Sequence, residues 1–379
     1  MARITATLAS TLARDVYPIA KATQNDAKVI LKQNYLNSIS LLENSLFKGR
    51  TGGPAGIKIS TGFGCVLVGK GTKNKSDAYI VFRGTKLLAD WLSNFNIAPA
   101  RSSVGYSVHD GFHTAFNSMK PQLEKLVQAA KKQGATSFHC IGHSLGGALA
   151  TLCASWLQNS GKSTYLYTYG SPRVGLFDFS NYLTIQMTTK RIYRVFHKTD
   201  VVPMIPTWPY VHIPESGTDY WLYSPGLLPS AKYHDMDEYC LSARGKAWKT
   251  LANNRQTHKS DLSIKQWLTQ KSRATFSMDS LHWLQSAIVF VVKKITSVIG
   301  SFENFTVMDH LAYVLAKGIN LAEKLSKWVK YFIRKVMEVL GLKPSPHETI
   351  FSKNFIRDIL GRLERKIYQS VDSALRYEM

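Results

Sequence analysis

The chain has 379 residues, of which 45% are hydrophobic and 19% charged, and this composition excludes an intrinsically disordered protein. A single core stops growing near roughly 250 to 300 residues, so one domain with an additional module is expected. The formal net charge of +23 predicts an anionic partner. Because zinc-finger spacings, ribonucleoprotein-type aromatic strands and basic helices followed by heptads do not occur, a lipid or anionic membrane surface is favoured and no nucleic acid is expected.

The cysteines indicate the redox state of the thiols, and the N-terminus indicates whether the chain carries a secretory signal. Cys65, Cys140, Cys153 and Cys240 are scattered without a Cys-x-x-Cys pair, which predicts buried free thiols rather than a zinc site or a disulfide framework. The first residues contain no apolar stretch of the length that a secretory signal requires. We therefore expect a chain that is cytoplasmic at synthesis and that would leave the cell only by a non-Sec secretion system.

Strand-like runs alternate with helical patterns from about residue 62 to 198, after an N-terminal lead-in of about 1–55 that we predict to be helical. Helices are predicted over 115–133 and 145–157 from apolar residues at spacings of three and four. This alternation predicts an α/β fold with a doubly wound, mostly parallel sheet and an active site at the carboxyl ends of its strands. Strands are predicted at 62–69, 77–84, 137–142, 163–170 and 191–198.

Helical periodicity rich in Lys and Arg replaces the strand-like runs beyond about Asn253. We therefore predict a catalytic domain over 1–252 and a basic, amphipathic helical C-terminal region over 253–379. Within it, 319–340 places Leu321, Leu325, Trp328, Phe332, Val336 and Val339 on one stripe, with Lys324, Lys327, Arg334 and Lys335 mostly off it. Such a helix either packs on the core or binds a membrane surface. The more apolar segment 281–299 is predicted to be a buried or interfacial helix.

The pentapeptide Gly142-His143-Ser144-Leu145-Gly146 carries the first chemical signal. A predicted strand runs directly into it and a predicted helix runs directly out of it. A serine on such a sharp strand-to-helix turn needs small flanking residues, and this is the setting of a hydrolase nucleophile. We therefore predict Ser144 as the nucleophile of a serine hydrolase.

A serine nucleophile needs a histidine base, and the histidine needs an acid, in the chain order Ser, acid, His. Asp200 stands at the carboxyl end of a predicted strand, followed by Pro203, and is our candidate acid; the alternative is a turn-capping aspartate. Three histidines that follow it are candidates for the base, namely His212, His234 and His310.

Several further motifs resemble those of the class 3 lipases of fungi, plants and bacteria. They cover roughly residues 60 to 240 and comprise VFRGT (81–85) with Trp91, VHDGF (108–112), GHSLGGALA (142–150), YGSPRVG (169–175), HKTDVVPMIP (197–206), YVHIP and DYWLY. The resemblance implies an α/β-hydrolase fold, a covalent acyl-enzyme, and no metal or other cofactor. It also implies an oxyanion hole formed by Thr85 and Leu145.

The resemblance places a lid over 86–96, with Leu87, Leu88, Trp91, Leu92 and Phe95 on a short amphipathic stretch. The alternative is a plain packed helix. For the base, His212 matches a position that is usually structural, whereas His234 lies in an H-x-M-x-x-Y pattern similar to plant and bacterial members. His310 resembles the segment of fungal members that carries the base. We expect His234, because it follows the apparent last strand closely, and keep His310 as the alternative.

These features predict a lipase or phospholipase that acts on membrane glycerolipids through a Ser-His-Asp triad. Analogy with bacterial lipases delivered by secretion machinery suggests a secreted effector with an inhibitory or immunity protein as partner. The alternative from another class is a non-catalytic, lipase-like scaffold that binds membranes or proteins. A third hypothesis makes the C-terminal helices a pore-forming or immunity-protein-binding module.

Overall fold

The computed structural model describes residues 4–35, 38–52, 58–85, 98–215, 219–253, 259–299, 307–343 and 351–377. Its centre is a seven-stranded sheet in the order β1-β2-β3-β6-β7-β8-β9, and β4 and β5 form a separate antiparallel pair. The strands are β1 (Ile39–Gly52), β2 (Lys58–Gly69), β3 (Asp77–Phe82), β4 (Pro99–Arg101), β5 (Ser107–His109), β6 (Ser137–His143), β7 (Ser163–Tyr169), β8 (Ile192–His197) and β9 (Tyr220–Leu222).

The sheet is antiparallel at one edge, where β1 pairs with β2 and β2 with β3, and parallel from β3 through β9. The five strands predicted between residues 62 and 198 are all present. Every residue of β3 and of β6 is buried, as expected for parallel strands that are covered on both faces. The doubly wound α/β fold is therefore confirmed.

Helices cover both faces of the sheet. One core contains Ala78, Ile80 and Phe82 of β3, and the opposite core contains Tyr79 and Val81, as the alternation of side chains along a strand requires. The first face is covered by α4 (Asp110–Lys132), α5 (Leu145–Asn159) and α6 (Phe177–Met187). The second face is covered by α1 (Ala6–Ile19), α2 (Gln24–Tyr35), α7 (Met236–Ala243) and α8 (Trp248–Asn253), and the short α3 (Gly71–Asn74) links β2 to β3.

The prediction of a helical lead-in over 1–55 is wrong for part of its length. The lead-in contains α1 and α2, but residues 39–52 form strand β1. The register between β1 and β2 shifts between Leu41 and Leu46, and Asn44 in this bulge has a φ of 51°. Because the bulge interrupts the twofold alternation of apolar residues, the sequence pattern did not indicate a strand.

The C-terminal region is helical, as predicted, although the boundary at residue 252 stays a prediction. Its core is one cluster that also includes Val201, Val202, Met204 and Ile205 from the loop after β8. The helices therefore pack directly against the segment that follows Asp200. They are α9 (Asp261–Thr269), α10 (Met278–Ile299), α11 (Val307–Leu321), α12 (Glu323–Leu340) and α13 (Lys353–Tyr377).

The prediction of one helix over 319–340 is wrong at Ala322, whose extended backbone separates α11 from α12 and leaves Leu321 exposed on α11. Phe332, Val336 and Val339 of α12 pack into the cluster, so the packed-helix alternative describes this part of the stripe. Lys335, expected off the stripe, is 2% exposed, and its Nζ donates to the carbonyl oxygens of Gln270 and Ser272. The segment 281–299 lies in α10, and one face of it, which includes Leu284, Ile288 and Ile295, is buried in the same cluster. Among the residues that the structure describes, no helix combines the length and apolarity that a membrane crossing requires. The four cysteines are buried free thiols, as predicted.

His109 should make the stability of the fold depend on pH. Its buried side chain caps α4 by accepting a hydrogen bond from the Gly111 N–H at 3.1 Å, and burial lowers its pKa to about 3. Below about pH 6.5 the unfolded histidine binds a proton that the folded one does not, so the unfolding free energy falls as pH falls, by at most about 1.4 kcal/mol per pH unit.

We predict that His109→Asn removes this part of the pH dependence, because asparagine caps a helix without titrating. Urea unfolding of both chains at pH 6.5, 5.5 and 4.5 measures it. Equal slopes of unfolding free energy against pH in the two chains would contradict the prediction.

Candidate active site

Ser144 occupies a strained turn between β6 and α5. Its φ is 56°, and its N–H donates to the Tyr169 carbonyl oxygen at 2.9 Å. The flanking glycines are required by close approaches of the backbone. A Cβ on Gly142 would lie 2.0 Å from the Gly146 carbonyl oxygen, and one on Gly146 would lie 2.3 Å from the Phe82 carbonyl oxygen. The turn therefore has the strand-to-helix geometry that the sequence predicted for a nucleophile.

Asp200 and His234 form a buried pair. His234 Nδ1 lies 3.0 Å from each carboxylate oxygen of Asp200, which is fully buried. Asp200 also accepts hydrogen bonds from the Tyr239 hydroxyl at 2.6 Å and from the Val202 N–H at 2.9 Å. Because an ionised carboxylate only accepts, the proton of the imidazole is on Nδ1, and Nε2 is left as the basic nitrogen.

Gly170 joins the nucleophile to this pair. It directly follows Tyr169, whose carbonyl oxygen binds the Ser144 N–H. A Cβ at Gly170, where φ is +51°, would lie 2.4 Å from Asp200 Oδ2 and 3.0 Å from His234 Nδ1. The carboxyl ends of β6, β7 and β8 thus bring Ser144, Asp200 and His234 to one edge of the sheet.

The hydroxyl of Ser144 is available for chemistry. Its Oγ is buried and makes no hydrogen bond within the described part of the chain. Bonds between nucleophile and base are often long before substrate binds, so the free Oγ does not conflict with a role as nucleophile. The arrangement is suited to a serine that loses its proton to an imidazole held by a carboxylate.

The two alternative histidines lie elsewhere. His310 is on α11, where burial lowers its pKa. His212 Nε2 lies 2.8 Å from the carbonyl oxygen of Pro203, so it donates there, and burial among arginines lowers its pKa well below the usual value. The structure therefore brings His234, and neither alternative, against Asp200.

A second hydrogen-bonded chain connects the turn to the N-terminal helix. His143 Nε2 lies 2.7 Å from the His234 carbonyl oxygen and His143 Nδ1 lies 2.8 Å from the Tyr17 hydroxyl. A carbonyl only accepts, so Nε2 carries the proton and Tyr17 donates to Nδ1. Burial, with a contribution from His234, lowers the pKa of His143 and keeps it neutral. Helix α1 thereby positions both the residue before the nucleophile and the segment that carries the base.

Tyr239 is a site residue that sequence reasoning did not assign. It is fully buried; its hydroxyl donates to Asp200 and accepts from the His197 N–H at 3.1 Å. It is the Tyr of the H-x-M-x-x-Y pattern, so that spacing was the available signal. Tyr17 had no such signal, because it lies far from the motif in sequence.

The predicted oxyanion hole has a suitable location. Leu145 is the first residue of α5, and the N–H groups at the start of a helix have no intrahelical acceptor. Thr85 directly follows Gly84, whose Cβ, if present, would lie 3.0 Å from Ser144 Cβ. Both predicted donors therefore belong to segments that run beside the nucleophile. The lid residues Leu87, Leu88, Trp91, Leu92 and Phe95 lie outside the described residues.

Comparisons with known proteins agree with this geometry. Residues 79–210 match the model of the family described as "Lipase (class 3)". This part of the chain is therefore similar to the class 3 lipases. A secreted mono- and diacylglycerol lipase of Fusarium solani is 37% identical over 172 residues, which are 44% of this chain and 49% of that protein.

Two further similar proteins come from a fungus and a plant. A lipase of Rhizomucor miehei is 32% identical over 166 residues, covering 41% of this chain and 44% of that protein. Phospholipase A1-II 1 of Oryza sativa subsp. indica is 28% identical over 210 residues, covering 47% of this chain and 52% of that protein. The chain thus spans about half the length of the relatives it matches.

Removing the hydroxyl of Tyr239 should impair hydrolysis without abolishing it. Tyr239→Phe leaves the ring packed but removes one donor to the buried Asp200 carboxylate, a bond to a charged group worth roughly 1.5 to 3 kcal/mol. We expect kcat on a soluble ester to fall roughly 10- to 100-fold with little change in KM. Tyr223→Phe, at a tyrosine that is 77% exposed, is the matched control and should leave kcat unchanged. Equal kcat values for the two variants would contradict the role of Tyr239.

Proposed function

We propose that this chain is a class 3 lipase, a serine hydrolase that cleaves ester bonds of membrane glycerolipids. The observation that carries the proposal is the bond between His234 Nδ1 and the buried Asp200 carboxylate, beside the strained turn of Ser144. The names of the relatives, which include lipases and a phospholipase A1, support the same reaction class.

In the proposed reaction, Ser144 Oγ attacks the ester carbonyl carbon while His234 Nε2 takes the hydroxyl proton. The N–H groups of Leu145 and Thr85 stabilise the negative charge that develops on the carbonyl oxygen. His234 then gives its proton to the departing alcohol, which leaves an acyl-enzyme on Ser144. Water, deprotonated by the same imidazole, releases the fatty acid and restores the serine. Asp200 keeps the proton on Nδ1 throughout.

The loop between β9 and His234 is suited to contact with a lipid surface. Tyr223, Leu227 and Leu228 are between 61% and 77% exposed. The loop is held near the acid, because the Ser230 N–H donates to the Thr199 carbonyl oxygen at 3.0 Å. Apolar side chains exposed together beside an active site mark an interaction surface. With the strong positive charge of the chain, this loop favours an anionic bilayer as partner.

Variants of the proposed nucleophile and base test the mechanism. Ser144→Ala removes the attacking oxygen and His234→Ala removes the proton acceptor, so each should lower kcat by a factor of roughly 10³ to 10⁶. A fluorophosphonate probe should label the unsubstituted chain and leave Ser144→Ala unlabelled. Ester hydrolysis in a pH-stat measures the first effect and mass spectrometry the second.

His310→Ala is the matched control, because it removes an equal side chain from α11 and should keep at least half of the activity. If His310→Ala loses activity and His234→Ala retains it, the base is His310 and the assignment of His234 is wrong. An intact, folded chain that neither hydrolyses esters nor reacts with the probe would favour the non-catalytic scaffold.

If the exposed loop contacts lipid, substitutions in it should weaken binding to vesicles without changing hydrolysis of a soluble ester. In Leu227→Ser/Leu228→Ser, binding to phosphatidylglycerol vesicles should weaken roughly 10- to 100-fold, because two largely exposed leucines no longer enter the lipid. Hydrolysis of a water-soluble short-chain ester should not change. Leu262→Ser, on α9 and 65% exposed, is the control and should bind vesicles normally. Equal vesicle binding of the double variant and the control would exclude the loop as the contact.

The export route, the effector role and an inhibitory partner protein stay predictions from the sequence. Co-purification of a tightly bound protein that blocks fluorophosphonate labelling is the measurement that bears on the partner. A pore-forming role for the C-terminal helices is disfavoured by their packing, because their apolar faces are buried in one cluster with the loop after Asp200.

A further inference from the structure

A cavity of about 240 Å³ lies between the α/β domain and the C-terminal helices, and its described lining does not include Ser144, Asp200 or His234. Arg173 and Arg194 line it from the α/β domain, and Lys259 and Lys293 line it from the C-terminal region. Its volume far exceeds the roughly 10 to 15 Å³ that a single water needs, so a group of several heavy atoms fits.

Arg173 is a buried cation in the wall of this cavity. Its side chain is almost fully buried, and its Nη1 donates to the carbonyl oxygens of Met204 and Pro206 at 2.5 and 2.6 Å. Its Nε has no hydrogen-bond partner within the described ranges. Burial, together with the charge of Arg194, lowers the pKa of Arg173 to about 9. A buried charge without a counter-ion is costly, which favours a site that an anion completes.

The acidic residues around the cavity are already paired with other cations. Asp219 accepts from Arg194 at 2.6 Å, and Glu215 accepts from Lys293 at 2.5 Å. Asp261, also in the wall, lies 3.2 Å from Lys294, which points from the same helix as Lys293. Because these carboxylates are engaged, the charge of Arg173 is left in excess.

Lys259 adds a second cation to the same wall. Its Nζ lies 4.0 Å from the ring centroid of Trp283, so its apolar stem is held against the aromatic ring, and burial lowers its pKa. Arg and Lys together favour phosphate, because a guanidinium donates several directed bonds and an ammonium adds a point charge.

We propose that this cavity binds a phosphate group, carried by inorganic phosphate, by a soluble phosphate ester or by a lipid headgroup. The site is distinct from the catalytic turn, and its occupation does not depend on the hydrolase proposal. The guanidinium of Arg173 and Lys259 Nζ are the groups that the anion would engage. Bound phosphate would tie the loop after Asp200 to the C-terminal helices.

Calorimetric titration of the full chain with inorganic phosphate, at constant ionic strength in chloride, tests the proposal. We expect saturable binding of about one phosphate and a rise in the thermal midpoint with phosphate concentration. Lys259→Met keeps the apolar stem over Trp283 but removes the charge, and should weaken phosphate binding about tenfold. Lys317→Met, at an exposed lysine of α11 outside the cavity, removes the same charge and should bind as the unsubstituted chain does.

Equal phosphate affinity in Lys259→Met and the unsubstituted chain overturns the proposal, as does equal weakening by Lys259→Met and Lys317→Met. Two further ligands identify the source, both measured in a Ser144→Ala background so that lipid is not consumed. If Lys259→Met weakens binding of glycerol 3-phosphate alone, the site accepts soluble esters. If it also weakens binding to phosphatidic acid vesicles relative to Lys317→Met, the site accepts a lipid headgroup.

Discussion

The buried carboxylate of Asp200 is the charge on which the arrangement of this protein depends. A carboxylate removed from water is tolerated only when its oxygens accept several hydrogen bonds. Three donors meet here, from the imidazole of His234, the hydroxyl of Tyr239 and the N–H of Val202. They come from separate segments, so satisfying this one charge fixes the base, helix α7 and the loop after β8 relative to one another.

The segments around Asp200 are in turn supported from two sides of the molecule. Helix α1 holds the segment that carries the base through Tyr17 and His143. The Nδ1 of His143 accepts from the Tyr17 hydroxyl, and its Nε2 donates to the His234 carbonyl oxygen. The C-terminal helices pack on the loop after Asp200 through Val201 and Ile205. Elements at both ends of the chain therefore contribute to the geometry of a site whose motifs lie in the middle.

The same packing determines what the apolar face of the amphipathic helix α12 contacts. The stripe on α12 is equally compatible with a bilayer and with a neighbouring helix, because both are apolar. In the structure neighbouring helices cover Phe332, Val336 and Val339, whereas Leu227 and Leu228 on the short loop before His234 are exposed. At the junction between the two regions, the hydrogen bonds that Arg173 Nη1 makes to described residues go to carbonyl oxygens, which is the reason for assigning an anion to the cavity there.

Local sequence determined the strand-to-helix turn of Ser144, the parallel strands that flank it and the position of Asp200, because each depends on residues adjacent in the chain. Gly142 and Gly146 are required because a Cβ at either position would collide with a backbone carbonyl oxygen. Strand β1 was not predicted, because a bulge interrupts the alternation of its apolar and polar residues. Only the tertiary structure placed His234 against Asp200, connected Tyr17 and Tyr239 to the site, and buried Phe332, Val336 and Val339 of α12. These outcomes depend on distances between residues far apart in sequence, and periodicity or spacing along the chain does not contain that information.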